Sequence, residues 1–312
     1  MAGRAAYRHN TNRTYGSHLR WVFKTAERLS ISLDRPLSEH NLCLLVADHV
    51  RRHKLGGHRT MLSALSQWHK QQGFGPLPRN DTFKLLKKGL KNILGGVDKQ
   101  EHKAAFTEEH MAALHATLDL SKLSDARDWA TITMAWTGIL RVSEYCDKYL
   151  RNRHVAIKTT TTNRHKVLVI TVVISKTSSV PEDVYMAARA DILCPVKAAA
   201  NYMRLATKQF GDRWGPDCPY LFTSAPHMAL SSNTWSSILK LRIISIGLDP
   251  TVYATHSFRR GGTTAMFRAN VARDAIKYHG RWKGDAIDAY NDWDVAGRRS
   301  EPTRQLAAAR PL

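Results

Sequence analysis

The sequence predicts a mainly α protein with one small antiparallel β-sheet, an α+β fold. Apolar residues recur at helical spacing along most of the chain, which favours amphipathic helices. The β-branched run 166–174 is instead typical of a strand, and the threonine-rich tract 158–165 before it suits the turn of a small sheet. A polar segment beginning with Gly95 and Gly96 lies between two stretches of helical pattern and indicates a flexible connection between domains.

The balance of charged residues points to a polyanionic partner. The 312 residues include 47 Lys and Arg against 26 Asp and Glu, which gives a formal net charge of +21. The excess is densest in the first 103 residues, which hold 19 basic and 7 acidic side chains. Such an excess favours a nucleic acid over a neutral metabolite as partner. A basic surface of another kind would give the same balance, so the charge alone leaves the partner open.

Cysteine usage and hydropathy restrict the cellular setting. The four cysteines lie far apart without a Cys-x-x-Cys pair, so neither a zinc site nor a disulfide framework is predicted. The chain has no apolar run long enough to span a bilayer and begins without an apolar signal segment. We therefore expect an intracellular protein that is not associated with a membrane.

Four helices are predicted before the connection. They cover residues 15–29, a stretch that follows the N-cap Ser38, residues 59–72, and residues 81–94. In the fourth helix Phe83, Leu86, Leu90 and Ile93 form the predicted inner face. Its other side displays four lysines at positions i, i+3, i+4 and i+7, namely Lys84, Lys87, Lys88 and Lys91. This lysine stripe is suited to neutralising phosphates, and it is equally typical of an ordinary solvated face.

The second domain begins with a helix whose N-cap is Thr107, followed by a more fully apolar helix over residues 126–136. After the predicted strand, helices return over residues 195–207 and 234–247. We expect the apolar helix to lie inside this domain because its pattern leaves little room for a solvent face.

Groups suited to attacking a phosphodiester follow one another through this second domain. His256 and Arg259 stand three residues apart, so on one helix both side chains project from the same face. Tyr290 falls in a short predicted helix, residues 285–293, and is a candidate nucleophile. Arg141 lies upstream in Arg-Val-Ser-Glu, and Lys176 lies just beyond the strand, where a hairpin would carry it. Taken singly, each has an ordinary structural explanation, such as an ion pair between Arg141 and Glu144.

The order of these residues resembles that of the tyrosine recombinase (phage integrase) family, over about residues 106–293. The catalytic domain of that family carries Arg, Lys, His-x-x-Arg, His or Trp, and Tyr in sequence. The matching positions here are Arg141, Lys176, His256, Arg259, Trp282 and Tyr290. The interval from Trp282 to Tyr290 is about one residue shorter than the family pattern, and the frequent Leu-Gly-His segment is replaced by Tyr-His-Gly-Arg-Trp. The fifth position therefore stays open between Trp282 and His279, with Trp282 favoured by the glycine-bearing turn before it.

The resemblance implies a domain organisation. We expect a helical core-binding domain in residues 1–95, a linker in 96–105, a catalytic domain of the tyrosine recombinase type in 106–295 and a C-terminal tail in 296–312. In that organisation the lysine stripe, Lys84, Lys87, Lys88 and Lys91, faces double-stranded DNA. The resemblance also implies a homotetramer on DNA, with a monomer or weak oligomer free in solution, localised to a nucleoid or nucleus.

The resemblance further implies the chemistry. Arg141 and Arg259 are expected to clamp the phosphate, because arginine donates two hydrogen bonds in a fork and stays charged. Tyr290 is expected to attack phosphorus while His256 accepts its proton and Lys176 protonates the leaving 5′ oxygen. This would give a 3′-phosphotyrosine without metal, ATP or any other cofactor. Two alternatives remain: an enzyme that relaxes DNA like a type IB topoisomerase, or a catalytically silent architectural DNA-binding protein.

Overall fold

A computed structural model describes residues 9–53, 57–94, 103–147, 149–161, 164–173 and 180–290. The chain divides into two compact units, Met1–His102 and Lys103–Leu312, which we call the N-terminal and C-terminal units. Both are mainly helical, and the C-terminal unit adds a small antiparallel sheet, as the sequence predicts. No helix within the described ranges has the length and apolar character needed to cross a membrane.

The N-terminal unit contains four described helices, α1 (His9–Arg28), α2 (Glu39–Arg52), α3 (Gly57–Gln71) and α4 (Asp81–Leu94). All four predicted helices are therefore confirmed, and the first begins earlier than the apolar pattern indicates. The hydroxyl of Ser38 accepts the amide N–H of Asn41 and caps α2 as predicted. Their inward faces form one core that includes Val22, Leu42, Leu45, Met61, Leu65 and Phe83.

Helix α4 departs from its predicted packing at one end. Phe83 is buried, and Leu86 and Leu90 are partly buried against the core, as expected. Ile93 is 74% exposed, so its assignment to the inner face is wrong. Periodicity fixes the side of the helix on which Ile93 lies, but the core residues of this unit end before its last turn. The four lysines of the stripe are exposed.

Seven described α-helices form most of the C-terminal unit. They are α5 (Glu108–Ala116), α6 (Leu123–Thr137), α7 (Val142–Tyr145), α8 (Pro195–Phe210), α9 (Ser232–Ser245), α10 (His256–Arg268) and α11 (Arg273–His279). Three short 3-10 helices, Asn152–His154, Gly211–Arg213 and Asp285–Tyr290, complete the described helical segments. Thr107 caps α5 through the amide N–H of His110, which confirms the predicted start.

The sheet has three antiparallel strands in the order β1 (Val155–Thr159), β2 (Lys166–Val172) and β3 (Glu182–Ala187). The predicted strand is confirmed as β2, whose central position accounts for its nearly continuous burial. The predicted turn tract, 158–165, is too long at its start, because β1 continues through Thr159 and pairs it with Lys166. Ile174 lies outside the described residues.

Helix α6 is buried within the C-terminal unit and packs against α8 and α10. Every residue from 126 to 136 is buried, as the apolar pattern predicts. Helix α10 packs against α6 at Gly261 and Gly262. A Cβ atom at Gly261 would overlap the carbonyl oxygen of Phe106, and one at Gly262 would overlap that of Trp136. Only glycine permits this approach, which fixes the position of α10.

A buried group of ion pairs, the Asp128 cluster, ties α6 to α9. The two carboxylate oxygens of Asp128 accept two hydrogen bonds each, at 3.0 and 2.7 Å from Arg127 and at 3.2 and 2.8 Å from Arg242. Arg242 also donates to Asp125 at 2.5 Å, and Arg127 donates to the backbone carbonyl of Phe222 at 3.0 Å. The cluster is neutral, since its two arginines face two carboxylates.

Candidate active site

Arg259, the second arginine of the predicted set, is buried where three segments of the C-terminal unit meet. Arg259, one turn into α10, is fully buried. Its guanidinium donates to the backbone carbonyl of Ile139 and, at 2.7 Å, to that of Gly280. Ile139 has a φ of +40°, an unusual conformation for a β-branched residue, just ahead of the Arg141 segment. Arg259 thus joins two segments that lie 120 and 21 residues away in the sequence.

The turn after α11 places Trp282 against Arg259. The indole ring lies 4.0 Å from the Arg259 guanidinium carbon, within the range of a cation–π contact. Trp282 is 8% exposed and packs with Ile139, Ile276 and Ile287. Gly280 is required here because a Cβ atom on it would overlap the Trp282 ring. The glycine-bearing turn that the sequence suggests is therefore present, and it covers Arg259 with the indole.

The first arginine of the set begins the short helix α7. Arg141 donates its backbone N–H to one carboxylate oxygen of Glu144 at 2.9 Å, and its guanidinium Nη1 to the other, also at 2.9 Å. The Arg141 side chain is 17% exposed, whereas that of Glu144 is 0% exposed. Among the described residues, Glu144 is the only partner of the Arg141 guanidinium. The ion pair expected as the ordinary explanation for Arg141 is present, but it leaves part of the guanidinium open.

Two residues complete this group, Glu144 and Arg281, and the sequence did not single out either for chemistry. Arg281 donates to Glu144 at 2.6 Å across 137 positions of sequence. Burial opposes ionisation of Glu144, but the charge of Arg281, the Arg141 amide and the charges of Arg141 and Arg259 outweigh it, so its pKa is lowered. We call Arg141, Glu144 and Arg281 the Glu144 cluster. The Arg-x-x-Glu spacing could have signalled the first pair, but no local pattern signals Arg281.

The two candidate histidines occupy different environments. His256 is exposed at the first residue of α10, although Arg259 one turn later is buried. His279 is partly buried, and its Nε2 lies 2.9 Å from the backbone carbonyl of Thr137, so it donates there. Burial lowers the pKa of His279, as do the nearby charges of Arg281 and Arg259, although the Thr137 carbonyl raises it.

The segment that carries Tyr290 is fixed to α11 from two sides. Arg273 forms ion pairs with Asp285 at 3.0 Å and with Asp288 at 2.9 Å. Its hydrogen bonds lower the pKa values of both exposed carboxyls. Ile287 is fully buried in the apolar group around Trp282. The structure places the backbone of Tyr290 at the end of this 3-10 helix. The predicted short helix is confirmed as far as residue 290.

Some predicted residues cannot be compared with the structure. Lys176, the proposed proton donor, lies outside the described residues, as do most of the linker 96–105 and the tail 296–312. The exposed lysine stripe belongs to the N-terminal unit, where Lys84 forms an ion pair with Asp81 at 2.9 Å. The structure thus brings together Arg141, Arg259, Trp282 and His279. The roles of Lys176 and of the tail stay predictions.

Comparisons with known proteins give structural matches only. No family model matches the sequence, and neither does any curated protein. The XerH site-specific recombinase bound to difH substrate matches with a TM-score of 0.65 and 15% identity, over 93% of this chain and 78% of that one. The Tn1549 transposon integrase in complex with transposon right end DNA gives 0.61 and 14%, over 97% and 96%. Lambda integrase bound to a core site gives 0.59 and 14%, over 92% of each chain.

These matches span both units of the chain, and each is to a site-specific recombinase or an integrase solved with DNA. At this level of identity they establish the fold. The chain therefore has the fold of the tyrosine recombinases and integrases, and the resemblance found in the order of its motifs is confirmed at that level.

Proposed function

We propose that the chain is a site-specific DNA recombinase or integrase that breaks and rejoins DNA through a 3′-phosphotyrosyl intermediate. The observation that carries this proposal is the meeting of three distant segments at one buried group. Arg259 donates to the carbonyls of Ile139 and Gly280, and Trp282 lies over its guanidinium. The Ile139 segment leads into Arg141, and the Trp282 segment leads into the helix of Tyr290. Their presence in a fold shared with DNA-bound recombinases supports the proposal.

In this proposal the arginines stabilise charge that builds up on the phosphate. Attack on a phosphodiester adds charge to the non-bridging oxygens, and fixed donors of positive charge lower that barrier. Arg141 meets the phosphate directly because its guanidinium is partly exposed and has one carboxylate partner among the described residues. Arg259 contributes its charge from behind Trp282, and its direct contact with phosphate requires the indole to turn aside.

Tyr290, His256 and Lys176 carry out the proton transfers. The Tyr290 hydroxyl attacks phosphorus and passes its proton to His256, while the bond to the 5′ oxygen breaks and Lys176 protonates that oxygen. The products are a 3′-phosphotyrosine and a free 5′-hydroxyl. Because the phosphotyrosine retains the energy of the phosphodiester, a 5′-hydroxyl can reverse the attack and rejoin the strand without ATP. No cofactor or metal takes part.

Trp282 fills the fifth position of the set in our proposal. Its ring contacts Arg259, which supports a role for Trp282 in packing beside a bound phosphate. His279 instead uses its Nε2 on the Thr137 carbonyl, which suits an anchor for the end of α11. The choice between the two residues is thus supported by their contacts as well as by the turn that precedes Trp282.

The remaining parts of the proposal concern assembly on DNA. The N-terminal unit serves as the core-binding domain, and its lysine stripe contacts the DNA backbone. Four copies assemble on DNA, and residues 303–312 of the tail dock on a neighbouring copy. The protein acts inside the cell on a mobile element. The matching structures named above are of site-specific recombinases and integrases, which favours strand exchange over the topoisomerase and architectural alternatives.

The covalent intermediate provides the test. A binding site is first selected by the purified protein from random-sequence duplexes, and a nicked version of that site is used to trap the cleaved state. We expect the wild type, in EDTA and without ATP, to give a 3′-linked adduct on a denaturing gel. Tyr290→Phe should bind the same DNA with unchanged affinity and give no adduct, since only the attacking oxygen is lost.

Tyr278 supplies the matched control because its side chain is 89% exposed and lies in the same part of the chain. Tyr278→Phe should form the adduct like the wild type. An adduct from Tyr290→Phe would remove Tyr290 as nucleophile. Relaxation of a supercoiled plasmid by the free monomer, without pairing of two sites, would favour the topoisomerase-like function.

A further inference from the structure

Arg281 lies in the turn between α11 and Trp282, in a conformation that favours glycine. Its φ is +57°, in the left-handed region that side-chain-bearing residues enter at a cost. Its side chain is nevertheless 8% exposed and points inward, where Nη2 lies 2.6 Å from Glu144 and Nη1 lies 3.0 Å from the carbonyl of His279. Because this backbone conformation costs free energy, the contacts of the Arg281 guanidinium must offset that cost.

The contacts of Arg281 divide the oxygens of Glu144 between two arginines. Arg281 takes Oε2, which also accepts the Arg141 amide N–H, and the Arg141 guanidinium takes Oε1 through Nη1 alone. A buried carboxylate with one arginine for a partner normally receives that arginine as a fork, through two parallel N–H groups. Here Oε2 already accepts two hydrogen bonds, and the Arg141 guanidinium does not form a fork that spans both oxygens.

We propose that Arg281 is a positioning residue that limits the hold of Glu144 on Arg141 and so keeps the Arg141 guanidinium available to the scissile phosphate. This inference rests on the proposed function, since it assigns a role within the same reaction. It explains why an arginine occupies a turn that would suit glycine. It also gives Glu144 a second task beside capping α7, namely to hold the Trp282 turn against the Arg141 segment.

The charge of the group agrees with this role. Within the Glu144 cluster two arginines share one carboxylate, and no other carboxylate pairs with either arginine among the described residues. One positive charge is thus in excess beside a partly exposed guanidinium, which suits an incoming phosphate. The lowered pKa of Glu144 keeps the carboxylate ionised at neutral pH, so the division of its oxygens persists under working conditions.

The guanidinium shape matters as well as its charge. Arg281 reaches the His279 carbonyl with one terminal nitrogen and Glu144 with the other, so a single planar group connects the turn to the carboxylate. The single ammonium of a lysine cannot make both contacts in this geometry. We therefore expect Arg281→Lys to retain part of the function and Arg281→Met to retain little.

The test measures single-turnover cleavage of the nicked duplex at saturating protein, with DNA affinity determined separately. Arg281→Met should lower the cleavage rate by about 10- to 100-fold, the range found when the outer partner that orients a metal ligand is removed. DNA affinity should stay within about twofold, because the phosphate contacts elsewhere supply most of it. Arg281→Lys should fall between Arg281→Met and the wild type.

The decisive variant is the combination of Arg281→Met with Glu144→Gln. If the harm in Arg281→Met comes from a carboxylate that closes on Arg141, removing its charge should raise the cleavage rate above that of Arg281→Met alone. A purely structural role predicts the opposite, since the second change removes a further buried interaction. A double variant that is as slow as Arg281→Met, or slower, overturns the proposal. Should Arg281→Met not fold, Arg281→Lys with and without Glu144→Gln makes the same comparison.

A matched control comes from the Asp128 cluster, where two arginines also share a buried carboxylate. Arg242→Met removes one of them and should lower thermal stability without changing the cleavage rate of the folded protein by more than about twofold. An equal loss of cleavage in Arg242→Met would contradict a special role for Arg281. The proposed function is judged separately, because its failure would leave even the wild type without a Tyr290-dependent adduct.

Discussion

The Asp128 cluster and the Glu144 cluster are built from the same groups and differ in how many donors they use. In the first, Arg127 and Arg242 each give two N–H groups to Asp128, and the remaining contacts go to Asp125 and backbone carbonyls. In the second, Arg141 and Arg281 each give Glu144 one guanidinium nitrogen. The first cluster is neutral and the second has a positive charge in excess. Forked pairing with balanced charge is typical of a structural role, whereas single hydrogen bonds with an excess of positive charge suit the binding of an anion.

The largest expected effect is on cleavage and tests the Glu144 cluster. Arg141→Ala should lower the cleavage rate by about 100- to 1000-fold, on the scale of losing one fixed donor to a charged transition state. Thermal stability should change little, because Glu144 keeps Arg281 and the Arg141 backbone amide as partners. Single-turnover cleavage and thermal unfolding of the same preparation check both halves. A large loss of stability with normal cleavage by the remaining folded protein would make Arg141 structural.

The second prediction tests the Asp128 cluster, where the expected effect is on stability. Asp128→Ala leaves the buried Arg127 without a carboxylate, which typically costs about 3 to 5 kcal/mol of unfolding free energy, while the partly buried Arg242 keeps Asp125. Urea unfolding should report this loss. The cleavage rate per folded molecule should stay close to that of the wild type, since the two arginines of this cluster are balanced by two carboxylates and leave no excess positive charge for a phosphate. If Asp128→Ala lowers cleavage as strongly as Arg141→Ala, the distinction between the two clusters fails.

The exposed lysines of the stripe differ from both clusters because solvent surrounds their charges. The lysine stripe is exposed, so salt should screen its interactions with DNA much more than it screens the ion pairs of the two clusters. Replacing Lys84, Lys87, Lys88 and Lys91 by glutamine should flatten the dependence of log affinity on log salt, by about 0.9 for each phosphate that the variant no longer neutralises. Titrations at several salt concentrations measure the slope. An unchanged slope would mean that the stripe faces solvent in the complex.

The smallest effect concerns pH. Because the pKa of His279 is lowered in the folded state, the unfolded chain binds its proton first as the pH falls. Its contribution to stability is therefore complete above about pH 6.5 and is lost as the pH drops toward the folded pKa. His279→Gln keeps an N–H for the Thr137 carbonyl but cannot titrate, so its unfolding free energy should depend less on pH than that of the wild type. Identical curves for His279→Gln and the wild type would contradict the assignment.

Much of the fold could be predicted because its signals are local. Helical periodicity, the caps at Ser38 and Thr107 and the β-branched run each depend on a few neighbouring residues. The order of Arg141, His256, Arg259 and the residues after them indicated the fold even though no sequence match supports it.

The two clusters could not be predicted in the same way. Arg127 and Asp128 stand in a helix whose pattern is otherwise apolar, and their burial depends on Arg242, 114 positions away. Arg281 meets Glu144 only because a left-handed turn directs its side chain inward, and no periodicity encodes that turn. The same limit applies to Ile93, whose exposure depends on where neighbouring helices end and not on its own spacing. Long-range pairing is thus what the linear pattern leaves out, in the candidate site and in the rest of the fold.

The packing of α10 at Gly261 and Gly262 has a consequence for sequence comparison and for protein engineering. Backbone carbonyls occupy the space that a side chain would need at either position, and backbone, unlike a flexible side chain, cannot move aside without shifting a helix. Chains that share this helix contact should therefore keep both glycines directly after the His-x-x-Arg-Arg motif even when overall identity falls to the levels found here. The five-residue motif followed by two glycines is a search pattern set by steric exclusion, and libraries that vary this helix should leave both positions unchanged.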